Sequence, residues 1–290
     1  MTSSFSPDVV SIQGEEGSNS AAAARGILGK NVRLLFCTSF QDAFDALDGG
    51  VAQKSVLPIE NTTAGMIQIV WDYITGTTGA GQPVMITAEA QVPIRFVAGM
   101  LPGAAAHVEE ILCHPVAAAQ CGRFLKRVGW KVLPCDDTAG AARLVAEGKD
   151  PRIAALCPPD AAKFYGLDLF ESSCGDAAET LTRFALVERG SAEEHRQTAE
   201  IDRMFLWLEL ENEPGSLING LRLFSDEGLN LYSIQSRALA GRPGKYAFII
   251  EAEAPKVPDA LRLTIQKIRE VGRIPVRALG SVKTPPWRTA

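Results

Sequence analysis

The chain has 290 residues, 46% of them apolar and 22% charged, with a formal net charge of −5. That length suits two ordinary domains and that composition a soluble globular protein. The acidic balance provides no basic face for nucleic acid or anionic lipid, and no stretch reaches the roughly 18 to 20 apolar residues of a bilayer span. The first ten residues, MTSSFSPDVV, lack the basic patch and apolar core of a signal peptide, so a cytoplasmic location is the expectation.

From Val9 to about Val187 short apolar runs alternate with segments of helical period, the pattern of an α/β domain. VVSIQG, SVLPIE, EILCHP, KVLPCD and RIAALC are predicted strands. Helices are predicted from Ser20 onward, over Asp42 to Leu47, Thr62 to Tyr73, Pro115 to Val128, Asp137 to Ala146 and Pro159 to Tyr165. GTTGAGQP, residues 76–83, interrupts this rhythm as a loop or a crossing between lobes.

After Glu188 the polar stretch RGSAEEHRQTAEID, residues 189–202, is the predicted linker. Beyond it MFLWLEL, LNLYSIQSR, KYAFIIEAE and IPVRALG are predicted strands. One helix between them carries Leu217, Leu221 and Phe224, the other Leu261, Ile265 and Ile268, each set at helical spacing. The order is βαββαβ over residues 203–281, which predicts a small ferredoxin-like sandwich.

The six cysteines lie scattered in apolar segments without CxxC spacing, and are expected to be reduced core or helix-face residues rather than metal ligands. Of three histidines, His107 and His195 stand in polar stretches, and His114 precedes Pro115 where a structural role at a helix start is expected.

Three places bring polar groups to the end of an apolar run. In GEEGSNS, residues 14–20, a strand turns through glycines into a helix, and Ser18 and Ser20 add hydroxyls to a helix start that favours anions; the Lys-Ser/Thr ending of a phosphate loop is missing. In LPIENTTAG, residues 57–65, Glu60 and Asn61 end a strand and Thr62 or Thr63 is suited to cap the next helix. In ETLTRF, residues 179–184, Thr182 and Arg183 precede the apolar run FALV.

In this order, GEEGSNSAAA, LPIENTTAG, ILCHPVAAAQC, DDTAGAA, IAALCPPDAAKFYGL and LTRF resemble the prephenate dehydratase family with a C-terminal ACT regulatory domain, and EPGSLINGLRLF, GLNLYSIQSR and RALGS extend the resemblance. It implies a two-lobed periplasmic-binding-protein-like catalytic domain over 8–188, the linker over 189–202 and the ACT domain over 203–281. It also implies decarboxylation and dehydration of prephenate to phenylpyruvate, with no cofactor and no metal. The resemblance gives Thr182 as catalytic proton donor or relay, and Arg183 as a fork for a substrate carboxylate. Asn61, Thr62, Ser18 and Ser20 would line the wall beside Thr182, with Glu60 as an orienter and Phe184 against the substrate.

The match departs at Thr180, Met66 and Ala21, where the family often has asparagine, serine and histidine. A prephenate decarboxylase that retains the hydroxyl is the alternative activity, and a non-catalytic ligand sensor the alternative class. In the ACT unit Gly215, Ser216, Leu217, Gln235, Ser236 and Arg237 stand where the family senses phenylalanine between paired regulatory domains, with Gln235 in place of an acid and Ala238 in place of a proline. Phenylalanine is thus the expected effector, and a homodimer or homotetramer the expected assembly.

Overall fold

The computed structural model describes residues 8–77, 82–177, 180–192, 201–239, 242, 244–256 and 260–284. Most of the predicted linker, the middle of the 76–83 loop, Glu179, His195 and the side chain of Leu261 lie outside the described residues.

In chain order the elements are β1 (Val9–Gln13), α1 (Asn19–Leu28), β2 (Arg33–Cys37), α2 (Phe40–Asp48), β3 (Lys54–Asn61), β4 (Gly65–Met66), α3 (Gln68–Thr75), β5 (Val84–Pro93), β6 (Val97–Met100) and β7 (Glu110–Cys113). There follow α4 (Pro115–Gln120), α5 (Gly122–Val128), β8 (Lys131–Pro134), α6 (Thr138–Gly148), β9 (Ile153–Cys157), α7 (Pro159–Phe164), β10 (Asp168–Glu171) and β11 (Leu181–Arg189). The last part is β12 (Arg203–Leu210), α8 (Ser216–Asp226), β13 (Leu231–Ala238), β14 (Tyr246–Glu253), α9 (Ala260–Gly272) and β15 (Val276–Val282).

The fold is mixed α/β with two sheets, and the chain divides into two compact units that interleave along the sequence. The first takes residues up to Ala43, Val56–Ile67 and Gln91–Phe184. It holds the order β11-β3-β1-β2, with β1 parallel to β2, and a separate five-stranded sheet β10-β6-β9-β7-β8. In the five-stranded sheet successive residues serve opposite faces. Ala154 and Leu156 of β9 join a core with Phe124 and Ile111, while Ala155 and Cys157 join another with Ala141, Val145 and Ala161. Both faces are therefore covered by helices, as buried parallel strands require.

The second unit takes Phe44–Ser55, Gln68–Ala90 and the chain from Ala185 onward. Its β12, α8, β13, β14, α9 and β15 follow the predicted βαββαβ order, and the strands lie as β13-β14-β12-β15 with antiparallel pairing throughout. Met204, Leu206 and Leu208 alternate along β12 into a core with Phe224, Ile250, Ile265 and Ile268. β15 runs parallel to β5 where Gly280 faces Ile86. Gly280 has φ of +148° and a Cβ there would stand 2.2 Å from the Ile86 carbonyl oxygen, so only glycine permits that approach.

Two predicted helices differ from the structure. Pro115 to Val128 is split at Cys121, whose φ of −126° ends α4 before α5 starts. Thr62 to Tyr73 is a turn and a short strand before it is a helix, and α3 begins only at Gln68. β2, β5, β6 and β10 were not among the predicted strands; β2 and β10 are edge strands with little buried surface, so their residues carry no strong apolar alternation.

Candidate active site

Asn61 explains why the chain turns instead of continuing into a helix. Its Oδ1 accepts from the backbone N–H groups of Thr63 and Ala64, each at 2.9 Å, which is an Asx turn. Gly65, at φ of +78°, then lets β4 pair back on β3, with Glu60 opposite Met66 and Asn61 opposite Gly65. Two backbone donors on Oδ1 fix the amide, so its NH2 must point away from the turn. That Nδ2 donates to Thr182 Oγ1 at 2.8 Å across 121 residues of sequence.

The register of β3 against β11 follows from these bonds. Thr62 N–H donates to the Leu181 carbonyl at 2.9 Å, and Leu181 N–H donates to Thr62 Oγ1 at 3.0 Å. Asn61 meets Thr182, and Arg183 Nη1 lies 2.7 Å from Glu60 Oε2. The strands are antiparallel here, and neighbouring residues of one strand point to opposite sides.

Thr182 and Arg183, as neighbours on β11, therefore point to opposite sides of the strand. Asn61 and Thr182 are both buried and share one side, while Arg183 and Glu60 pair on the other. Thr62 does not cap a helix, because its hydroxyl is committed to the Leu181 N–H. Phe184, on the Thr182 side, is 3% exposed and sits in packed interior, not at an open surface. Thr180 places its hydroxyl 3.4 Å from that of Thr63.

The hydroxyl of Thr182 accepts from Asn61 and keeps its own proton to donate. A hydrogen-bond donor fixed in advance and shielded from water is the arrangement that stabilises charge developing on a leaving oxygen.

The glycine-rich loop follows β1, the neighbour of β3 in the sheet. Ser18 caps α1, accepting from Ala21 N–H at 3.2 Å, and Ser20 in the first turn is buried. Within this unit the loop lies close to α7 and α6, two helices that pack on the five-stranded sheet. A Cβ on Gly17 would lie 2.5 Å from Ala161 Cα of α7, and Glu15 holds Arg143 of α6 in a two-pronged pair at 2.7 and 3.0 Å. Tyr165 OH adds a third bond to Glu15 at 3.3 Å, and burial beside that carboxylate pushes the phenol up to about 12, which keeps it a donor. Sequence reading missed Glu15, Arg143 and Tyr165 as a group, since 128 residues separate the first two and no spacing marks them.

The hydrogen bond from Arg143 holds the Glu15 carboxyl below the ordinary glutamate value of 4.5. A folded-state value below the unfolded one stabilises above the unfolded pKa and is lost as pH falls through the folded one. Glu15→Gln is expected to cost about 1 kcal/mol at pH 7, discounted for the partial exposure of the pair, and less at pH 3. Urea titrations of both proteins at both pH values would show it; an equal cost at the two would refute the ion-pair origin.

Asp137 caps α6, accepting from Gly140 N–H at 2.5 Å, and burial raises its carboxyl pKa against that bond. His114 caps α4 through Nδ1, which accepts from Val116 N–H at 3.2 Å. Burial pushes the thiols of Cys113, Cys121, Cys157 and Cys174 up to about 12, which makes them poor nucleophiles. Among the described residues no group of three or more His, Cys, Asp or Glu is placed to hold a metal. No described helix is long and apolar enough to cross a membrane.

In the second unit Gly215, at φ of +91°, precedes α8 and Ser216 opens it, with Leu217 37% exposed. Gln235 and Ser236 on β13 are exposed, and Arg237 pairs with Asp72 of α3. Asp72 also accepts from Thr77 Oγ1 at 3.1 Å.

A family model described as prephenate dehydratase matches residues 10–192. A prephenate dehydratase of Methanocaldococcus jannaschii is 29% identical over 226 residues, covering 77% of this chain and 79% of that protein. The solved structure of a prephenate dehydratase in complex with L-Phe, from Arthrobacter aurescens, has a TM-score of 0.81 at 29% identity, covering 97% of this chain and 92% of the other. A structure titled GqqA, a quorum quenching acylase, has a TM-score of 0.83 at 24% identity over 97% of this chain and 99% of that one, a likeness of fold alone.

Proposed function

The chain belongs to the prephenate dehydratase family, and from that premise we propose how its own residues serve the reaction. The protein is a carbon–oxygen lyase that converts prephenate to phenylpyruvate. The substrate is a cyclohexadiene bearing a ring carboxylate, a ring hydroxyl and a pyruvyl carboxylate. The electron pair of the C–CO2 bond moves into the ring as carbon dioxide departs, and the C–O bond to the hydroxyl breaks at the opposite carbon. The hydroxyl takes one proton and leaves as water, so the dianion plus one proton becomes the phenylpyruvate anion, carbon dioxide and water.

Aromatisation drives the step, so the enzyme has to hold the substrate and ease the departure of hydroxide. Thr182 serves that departure. The bond from Asn61 supports this reading, since it orients the threonine oxygen and leaves its proton to point at the leaving group. A threonine is too weak an acid to release its proton outright, so a proton passed on is replaced from solvent. Arg183 is the fork for one substrate carboxylate and Glu60 its orienter, a reading supported by the 2.7 Å contact of Glu60 Oε2 with Arg183 Nη1. Ser18 and Ser20, at the start of α1, remain the candidates for a substrate carboxylate.

The mass of the product decides the reaction. Pure protein given prephenate should release an aromatic keto acid, whereas a product that keeps the elements of water would move the chain to non-aromatising decarboxylation. Arogenate as a parallel substrate would tell the two ring acids apart.

For the rest of the chain we propose residues 8–188 as a two-lobed catalytic domain and 203–281 as an ACT domain, joined by a linker over 189–202, in a homodimer or homotetramer. The βαββαβ order of the second segment supports that assignment. Phenylalanine as effector is supported by the Arthrobacter relative solved with L-Phe. On this reading Gly215, Ser216, Leu217, Gln235 and Ser236 contact the effector, and Arg237 carries its effect to α3 through Asp72. Asp72→Asn should weaken the response of turnover to phenylalanine at least fivefold while calorimetry still detects phenylalanine binding, a loss of about 1 kcal/mol of coupling. An unaltered response would exclude this pair from regulation.

A further inference from the structure

Within the first unit, β6 to β10 and α4 to α7 form one continuous stretch, Val97–Glu171, so the chain enters the five-stranded sheet once and leaves it once. The two crossings are bonded to each other: Cys174 N–H donates to the Phe96 carbonyl at 2.9 Å, and Ile94 N–H to the Thr180 carbonyl at 2.7 Å. A few residues at the ends of elements are what a hinge needs. A second tie is made of side chains. In the order β11-β3-β1-β2 the loop after β1 lies two strands from the hinge, with β3 and its last residue, Asn61, between. From that loop Glu15 holds Arg143 of α6 through two bonds and Tyr165, at the end of α7, through a third. Gly17, without a Cβ, lets the loop sit against the α7 backbone.

This tie is built to be broken as well as made. The side chains of Glu15 and Arg143 are 29% and 35% exposed, so water replaces their bonds on separation. Arg143 also keeps a partner on its own helix, Glu147 Oε2 at 2.8 Å, so separation strands no buried charge. We propose that Glu15, Arg143 and Tyr165 form a latch between the two sheets of the first unit, opened by the hinge at Ile94 and Thr180 and closed on a bound substrate. Asn61, the partner of Thr182, stands between hinge and latch in the strand order, so the latch governs access to that pair. The link to substrate rests on the reaction assigned to Thr182; the opening itself does not.

The test uses the full chain with spin labels on cysteines introduced at Arg33 of β2 and Lys126 of α5, both exposed and on different sheets. The native thiols react slowly, since burial raises all six, and protein without the new cysteines provides the background. Pulsed electron–electron resonance should give one distance when the latch is intact. Arg143→Glu sets its carboxylate against Glu15 and Glu147, and a second distance should then appear in about a third of the molecules or more. Adding Glu15→Arg to it reverses the pair and should return the molecules to the first distance. The KM for prephenate should rise about fivefold in Arg143→Glu with kcat within about twofold of the original, the sign of weaker capture. Should Arg143→Glu fail to fold by circular dichroism, Arg143→Gln serves in its place, with the second distance in about a tenth of the molecules. One unchanged distance in the single variant, or a second distance that the reversed pair does not remove, would overturn the latch. An unchanged KM beside the second distance would overturn its link to substrate. The expected distances in a protein that does not turn over prephenate would support the latch and refute the reaction.

Discussion

Replacing Thr182 by valine should lower the turnover of prephenate about a thousandfold, a loss of roughly 4 kcal/mol of transition-state stabilisation. Valine keeps the shape and removes only the hydroxyl, so the change isolates the donor to the leaving oxygen. It also leaves the Asn61 Nδ2 group, now bonded at 2.8 Å, without its acceptor. An unsatisfied buried donor costs about 1 to 3 kcal/mol, so a modest fall in stability accompanies the loss of rate. Thr182→Ser restores an oxygen within reach of Asn61 and should recover turnover to within about tenfold of the unmodified protein. The pair of variants separates chemistry from folding, since both are judged on kcat after a urea titration has established that the protein is folded. A valine variant that turns over at more than a tenth of the original rate would remove Thr182 from the mechanism.

The second large effect concerns the loop after β1. Gly17→Ala places a methyl 2.5 Å from Ala161 Cα, 2.6 Å from its backbone N and 2.9 Å from the Asp160 carbonyl carbon. All three are backbone atoms, which cannot swing aside as a side chain would. The φ of +81° adds the cost of a left-handed conformation in a residue with a Cβ, about 1 kcal/mol or more. Overpacking of this kind costs about 1 to 3 kcal/mol, so a total near 3 kcal/mol is expected. The only other relief is for the loop to withdraw from α7, which would displace Ser18 and Ser20 at the start of α1 and lower kcat/KM instead. Gly26→Ala is the control: it lies within α1 with nothing inside 4 Å, and alanine there should stabilise by up to about 1 kcal/mol. Urea titration and steady-state kinetics on both variants check the prediction, and a Gly17→Ala protein as stable and active as the control would show that the loop does not need its close seat on α7.

Much of the fold was legible because it is written in short-range patterns. The apolar runs of β1, β3, β7, β9 and β12 and the capping residues of α1 and α6 act over a few positions, and a period of two or of 3.6 needs no knowledge of partners. The edge strands β2 and β10 were not legible for the converse reason, since one partner and an exposed face leave little pattern to read. The turn at Asn61 shows a different limit. Thr62 and Thr63 are good capping residues, and locally a helix start was a sound reading; the Asx turn and the Leu181 N–H claimed those groups first.

The sequence by itself determined which residue types stand at the site and, through the order of its motifs, which family they resemble. Only the tertiary structure decided how they divide. Asn61 and Thr182 share one side of an antiparallel strand pair, Glu60 and Arg183 the other, because neighbouring side chains on a strand alternate and the register aligns the two pairs. The same holds for Glu15 with Arg143 and for Asp72 with Arg237, contacts across 128 and 165 residues. Local propensity cannot specify such pairs, since each exists only once folding has closed the chain between them.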